Sequence, residues 1–179
     1  MAECIYTHAK EWGTSFGWFP EDFTGKGGCE TCCITDMIKL AIGLTLWGDP
    51  KYWNDAERFG RNHLLESQLL RSDLVDPYPF AKPYTVPSED PLRMSHYNIA
   101  DRAHGCFSGW SDFNKWEGRR PQMLGCCNGA GTRALYDLWH YGVIRAGNEV
   151  SVNLLSSRAT DDVVVKSYLP FKGQVDIRC

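Results

Sequence analysis

Between residues 30 and 47, apolar side chains recur at steps of three and four, at Cys33, Met37, Leu40, Ala41 and Leu44. That spacing predicts an amphipathic helix, closed by Gly48, Asp49 and Pro50. A second helical pattern covers 51–70, with Trp53, Ala56, Phe59, Leu64 and Leu65 as its inward positions. The short turn between the two makes an αα-hairpin. A third helix is predicted over 129–141, with Ala134, Leu135, Leu138 and Trp139 on one side. The period then falls to two, over 150–154, 163–168 and 175–177, with turn residues Asp161, Asp162, Lys172 and Gly173 between the runs. This reads as the opening of an antiparallel sheet, one that looks incomplete at about three strands. Residues 1–29 read as mixed and loop-rich. Residues 71–124 carry little periodicity and are punctuated by Pro77, Pro79, Pro83, Pro87 and Pro91. A stretch that long without its own pattern is usually functional. The fold class read from this pattern is α+β.

Composition narrows the classes of function. A chain of 179 residues is about one domain and can bury a core. The net charge of −3 and the lack of a Lys/Arg run argue against nucleic acid as a partner. No apolar run approaches the roughly 20 residues of a membrane helix, and the N-terminus lacks the features of a secretion signal. The expected location is therefore the cytoplasm. Eight cysteines are many for that compartment, which shifts weight from disulfides toward metal or thiol chemistry. Seven tryptophans raise the prospect of rings stacked on sugar faces, although core packing is their commoner use.

Cys32 and Cys33 fall in the first turn of the first predicted helix, where backbone N–H groups favour thiolate. Glu30 lies near the N-cap of the same helix. Cys126 and Cys127 follow Gly125 and precede the third predicted helix. Thiolates from two helix starts and one carboxylate are a donor set for tetrahedral Zn²⁺. The spacing matches no standard zinc finger, and buried free thiols or disulfides stay open as alternatives.

The order of four segments is more specific. Glu30-Thr31-Cys32 at a helix start is followed by Cys126-Cys127, then by Val152-Asn153-Leu154-Leu155, then by Tyr168-Leu169-Pro170-Phe171-Lys172-Gly173-Gln174-Val175. This set resembles the β-L-arabinofuranosidases of glycoside hydrolase family 127 and their relatives, over most of residues 18–179. The resemblance implies an (α/α)₆ barrel followed by β-sandwich domains. Residues 1–145 would supply late barrel helices and loops, and residues 146–179 the first sandwich strands. It implies a carbohydrate substrate, and earlier barrel helices or a second copy of the chain to complete the pocket. It makes Glu30, Cys32 and Cys127 zinc ligands, and makes Cys126 a nucleophile that also contacts the metal. The family's general acid is a Glu upstream of the Glu-x-Cys motif. Its nearest match is Glu21 in Pro20-Glu21-Asp22-Phe23, with Glu11 as the other candidate; the preceding proline and the short spacing to Glu30 depart from the family pattern.

Other polar residues carry weaker readings. His96, Tyr97 and His104 are candidates for sugar hydroxyls, and Trp110 and Trp116 for ring stacking. His63 reads as structural. Cys29, Cys33 and Cys106 receive no role.

Overall fold

A computed structural model of the chain describes residues 1–21, 28–70, 102–111 and 125–179. In chain order the elements are α1 (Ala2–Glu11), β1 (Cys29–Glu30), α2 (Thr31–Leu46), a 3-10 turn (Pro50–Tyr52), α3 (Trp53–Phe59) and a π turn (Gly60–Leu64). Then come β2 (Trp110–Ser111), α4 (Gly125–Gly142), β3 (Val143–Ala146), β4 (Glu149–Val152), β5 (Arg158–Ala159), β6 (Val164–Ser167) and β7 (Val175–Arg178). The arrangement is mixed α+β, with helices first and small antiparallel sheets after them.

Helix α2 is the hub, packing against α1, α3 and α4. Its buried stripe is Ile34, Met37, Ile38, Ala41 and Ile42. It shares Met37 and Ala41 with the predicted set, whereas Cys33, Leu40 and Leu44 pack against the core only partly covered. The reason is that α2 is apolar around most of its circumference, and such a helix has no unique inward face. Phe59, Ala56 and Leu64 from the second helical segment, and Ala134 from α4, close the core around it.

Several expectations are corrected. Residues 2–11 form a helix rather than loop, docked by one buried ring: Tyr6 donates to Asp55 Oδ2 at 2.7 Å, and Lys10 Nζ reaches the same oxygen at 2.6 Å. The segment at 51–70 is not one regular helix. It opens as a 3-10 turn with Pro50 at its first position and Asp49 accepting from Lys51 N, and its α-helical part gives way to the π turn at Gly60. At Gly60 the segment lies close against α4, where a Cβ would stand 2.6 Å from Leu138 Cδ1. Leu65 faces outward. Helix α4 begins four residues earlier than predicted and encloses Cys126 and Cys127. It runs directly into β3, which pairs with β4 through a two-residue turn with Gly147 at φ 62°. The strands β5, β6 and β7 form a three-stranded antiparallel sheet in that order, with Val163 and Val165 packed against Val143. Among the described residues, no helix is long and apolar enough to cross a membrane.

Candidate metal centre

Two helix starts are pinned side by side by one extended segment. Strand β1 pairs antiparallel with β2, placing Glu30 opposite Trp110 and Cys29 opposite Ser111. The first residue of α2, Thr31, donates its N–H to Gly109 O at 3.0 Å and its hydroxyl to Ser108 O at 2.6 Å. On the other side of the segment, Phe107 N donates to Asn128 Oδ1 of α4 at 2.7 Å. The Phe107 ring lies so close to α4 that a Cβ on Gly131 would stand 2.4 Å from it. Behind it, Ser108 N donates to Ser67 O and the Ser67 and Ser111 hydroxyls meet at 2.9 Å. The segment 107–111 is thus a platform shared by α2 and α4.

On this platform the donor atoms of Glu30, Cys32, Cys126 and Cys127 all lie within 4.8 Å of one another. Cys127 Sγ is 3.5 Å from Cys32 Sγ, 3.7 Å from Cys126 Sγ and 3.6 Å from Glu30 Oε1. Tetrahedral zinc with ordinary Zn–S and Zn–O lengths requires S···S edges of about 3.8 Å and S···O edges of about 3.6 Å. The three separations from Cys127 match those edges to within a few tenths of an ångström, and the other donor pairs lie within 4.8 Å. The donor set of three sulfurs and one oxygen suits Zn²⁺ as well, since soft thiolates select it over hard cations.

Burial divides the group. Cys127 is wholly buried, with its sulfur also 3.7 Å from the Gly109 carbonyl, whereas Cys126 is exposed and Glu30 and Cys32 are half-buried. Burial pushes the Cys32 thiol up to about 11, with the Glu30 carboxylate adding to the rise and Cys127 opposing it. Burial, then Cys32 and Cys126, push the Cys127 thiol higher still. Without a cation these sulfurs hold their protons; a bound dication would displace them.

Glu21 is brought to the same neighbourhood. Its Oε2 accepts from Trp110 Nε1 at 2.5 Å, and Trp110 is the strand partner of Glu30. Its charge contributes to raising the Cys33 thiol, which burial and then Glu30 push up to about 12. Glu21 and Cys33 line a cavity of about 250 Å³ together with Trp12, Phe19, Asp36 and Met37. Glu11 instead sits exposed on α1, paired with His8 at 3.5 Å.

None of the eight cysteines is in a disulfide, and the 3.5 Å Cys32–Cys127 separation is far beyond a disulfide bond. Cys29 is buried on β1, and Cys106 is half-buried at the start of the platform. His63 is buried in the π turn, stacked on Trp18 with ring centroids 4.3 Å apart, its Nε2 3.4 Å from Cys29 O. Burial pulls its pKa down to about 3. His104 lies exposed in a turn. His96, Tyr97 and Trp116 lie outside the described residues. Sequence reading missed the platform itself; its only signal was the glycine-punctuated run from Gly105 to Gly109.

No family model, no curated protein and no solved structure matches the chain. The centre therefore stands on its own geometry, that of a Cys/Glu cluster able to chelate a metal ion.

Proposed function

We propose that this chain is part of a zinc-thiolate retaining glycoside hydrolase of the family 127 type, acting on an arabinofuranoside or a related sugar. The carrying observation is the asymmetry within the cluster, where an exposed Cys126 sits beside a sealed Cys127. A nucleophile must reach a substrate, whereas a structural ligand is better hidden from water. On this reading Glu30, Cys32, Cys126 and Cys127 hold the metal, which when bound supplies the positive charge that keeps the sulfurs ionised near neutral pH.

The residues then divide the work. The Cys126 thiolate attacks the anomeric carbon while Glu21 protonates the departing oxygen, giving a thioglycosyl-enzyme. Glu21 next takes a proton from water, whose oxygen displaces the sulfur, and the sugar leaves with retained configuration. Glu21 is favoured over Glu11 because Trp110 ties it to β2, the strand paired with the one that carries Glu30. The (α/α)₆ barrel and the division of the chain at 145/146 into barrel helices and opening sandwich strands belong to the same proposal.

Metal analysis of purified protein is the first test; absence of zinc with all thiols titratable would sink it. Cys126→Ser is then expected to abolish turnover of an aryl β-L-arabinofuranoside while most of the zinc stays bound. Undiminished turnover would remove Cys126 from the nucleophile role.

A second reading rests on the outer face of α2. Trp47 is 93% exposed, and an open groove of about 550 Å³ runs along Leu40, Gly43, Leu44 and Trp47. Apolar surface of this kind fits a zinc-stabilised, inactive or carbohydrate-binding piece that needs a partner, whether the remaining barrel helices or a second copy. Size measurement by light scattering on zinc-loaded protein separates the two readings: a monomer that turns over sugar excludes this one.

A further inference from the structure

Glu30 has two carboxylate oxygens, and each faces a different sulfur. Oε1 lies 3.6 Å from Cys127 Sγ inside the cluster, and Oε2 accepts from the Cys33 thiol at 3.8 Å. At an ordinary helix start, the N-cap side chain would accept from the N–H groups two or three residues on. Glu30 occupies the N-cap of α2 with extended backbone, φ −76° and ψ 136°, yet makes no such bond. Its two carboxylate oxygens meet sulfurs instead. Cys33 is three residues on, on the same face of the first turn. It packs against the main core, which limits the freedom of its sulfur. It also stands outside the group whose donor atoms converge within 4.8 Å.

We infer that Cys33 is a positioning residue for the metal centre: its S–H holds Glu30 Oε2, so that Glu30 meets the cation through Oε1 alone. The inference rests on the reading of Glu30, Cys32, Cys126 and Cys127 as a metal centre. A carboxylate with its distal oxygen occupied binds through one oxygen, and the site stays four-coordinate with three sulfurs and one oxygen. Without that donor the carboxylate is free to rotate and bind through both oxygens. Partners of this kind typically govern metal affinity through the ligand they orient.

The test uses the full chain, stripped of metal and titrated with Zn²⁺ or Co²⁺ against a chromogenic chelator, as wild type, Cys33→Ala and Cys33→Ser. Zinc-loaded wild type should show three sulfur and one oxygen neighbours by X-ray absorption. Cys33→Ala should bind about tenfold more weakly, and its Co²⁺ ligand-field bands should lose intensity as the coordination number rises. Cys33→Ser restores an O–H donor and should return both readouts toward wild type. Equal weakening in both variants would reduce Cys33 to packing and overturn the inference, as would unchanged affinity in Cys33→Ala. Four sulfurs, or two oxygens, around wild-type zinc would also overturn it, even if Cys33→Ala fails to fold. Each of these results leaves the metal centre standing, whereas a wild type that takes up neither Zn²⁺ nor Co²⁺ removes the centre itself.

Discussion

At the scale of single residues, two sulfurs of the centre, Cys32 and Cys127, keep their protons until a cation arrives. Cys32 titrates near 11 and Cys127 higher without metal, so both are thiols at neutral pH. Metal uptake must therefore release their protons, and affinity must rise with pH. The expected slope is up to about tenfold per pH unit for each proton displaced, measurable by competition titration from pH 6 to 8 with proton release followed by a pH dye. A flat profile would mean that neither sulfur ligates. His63 works in the opposite direction. Its folded pKa of about 3 lies below the unfolded value of 6.5, so the unfolded chain takes up a proton that the folded chain refuses. The stabilisation is whole above pH 6.5 and is lost as pH falls toward 3, by at most about 1.4 kcal/mol per unit. Urea unfolding of chelator-treated protein should show this slope, and His63→Leu should lack it whatever its overall stability. The identities of these residues were legible in the sequence. Their environment was not, because burial and the Cys29 carbonyl come from partners distant in the chain.

At the scale of elements, the limits of sequence reading have plain causes. The helix at 30–47 was legible because its period is unbroken, yet its inward face was only partly given, with Ile34, Ile38 and Ile42 left out, because most faces are apolar. The π turn was invisible: no residue type encodes it, and it forms where α4 presses Leu138 against Gly60. Helix α1 was missed since it presents one buried residue, Tyr6, and little stripe to detect. Two glycines test how closely the helices are packed. Gly43 of α2 meets nothing within 4 Å among the described residues, so Gly43→Ala should stabilise by about 0.5–1 kcal/mol through helix propensity. Gly131 of α4 abuts the buried Phe107 ring, and Gly131→Ala should instead destabilise by about 1–3 kcal/mol through overpacking. Chemical denaturation of the two variants decides the matter, and equal signs would contradict the described helix–platform contact.

At the scale of the whole molecule, the centre joins parts of the chain that local structure leaves apart. The α+β class was legible from the change of period after residue 141, and donor chemistry grouped the Glu30–Cys33 run with Cys126 and Cys127, while the choice of Cys32 over Cys33 came only with the family resemblance. How they converge was not, because the platform at 107–111 reads as loop. Since ligands come from both α2 and α4, metal should bind the folded state far better than the unfolded one. At a thousandfold excess over Kd this amounts to about 4 kcal/mol. Chelation should therefore lower the thermal midpoint by several degrees and zinc restore it; an unchanged midpoint would mean that the sulfurs do not bridge the helices. Cys127 and Glu30 stand 97 positions apart in sequence. In polymer terms a metal there is a cross-link closing a loop of that length, which in the disulfide case is worth about 4–5 kcal/mol of chain entropy. Unlike a disulfide, this cross-link opens with a chelator or with acid and needs no reductant. The topology of the chain would thus be under the control of free metal concentration rather than of redox potential.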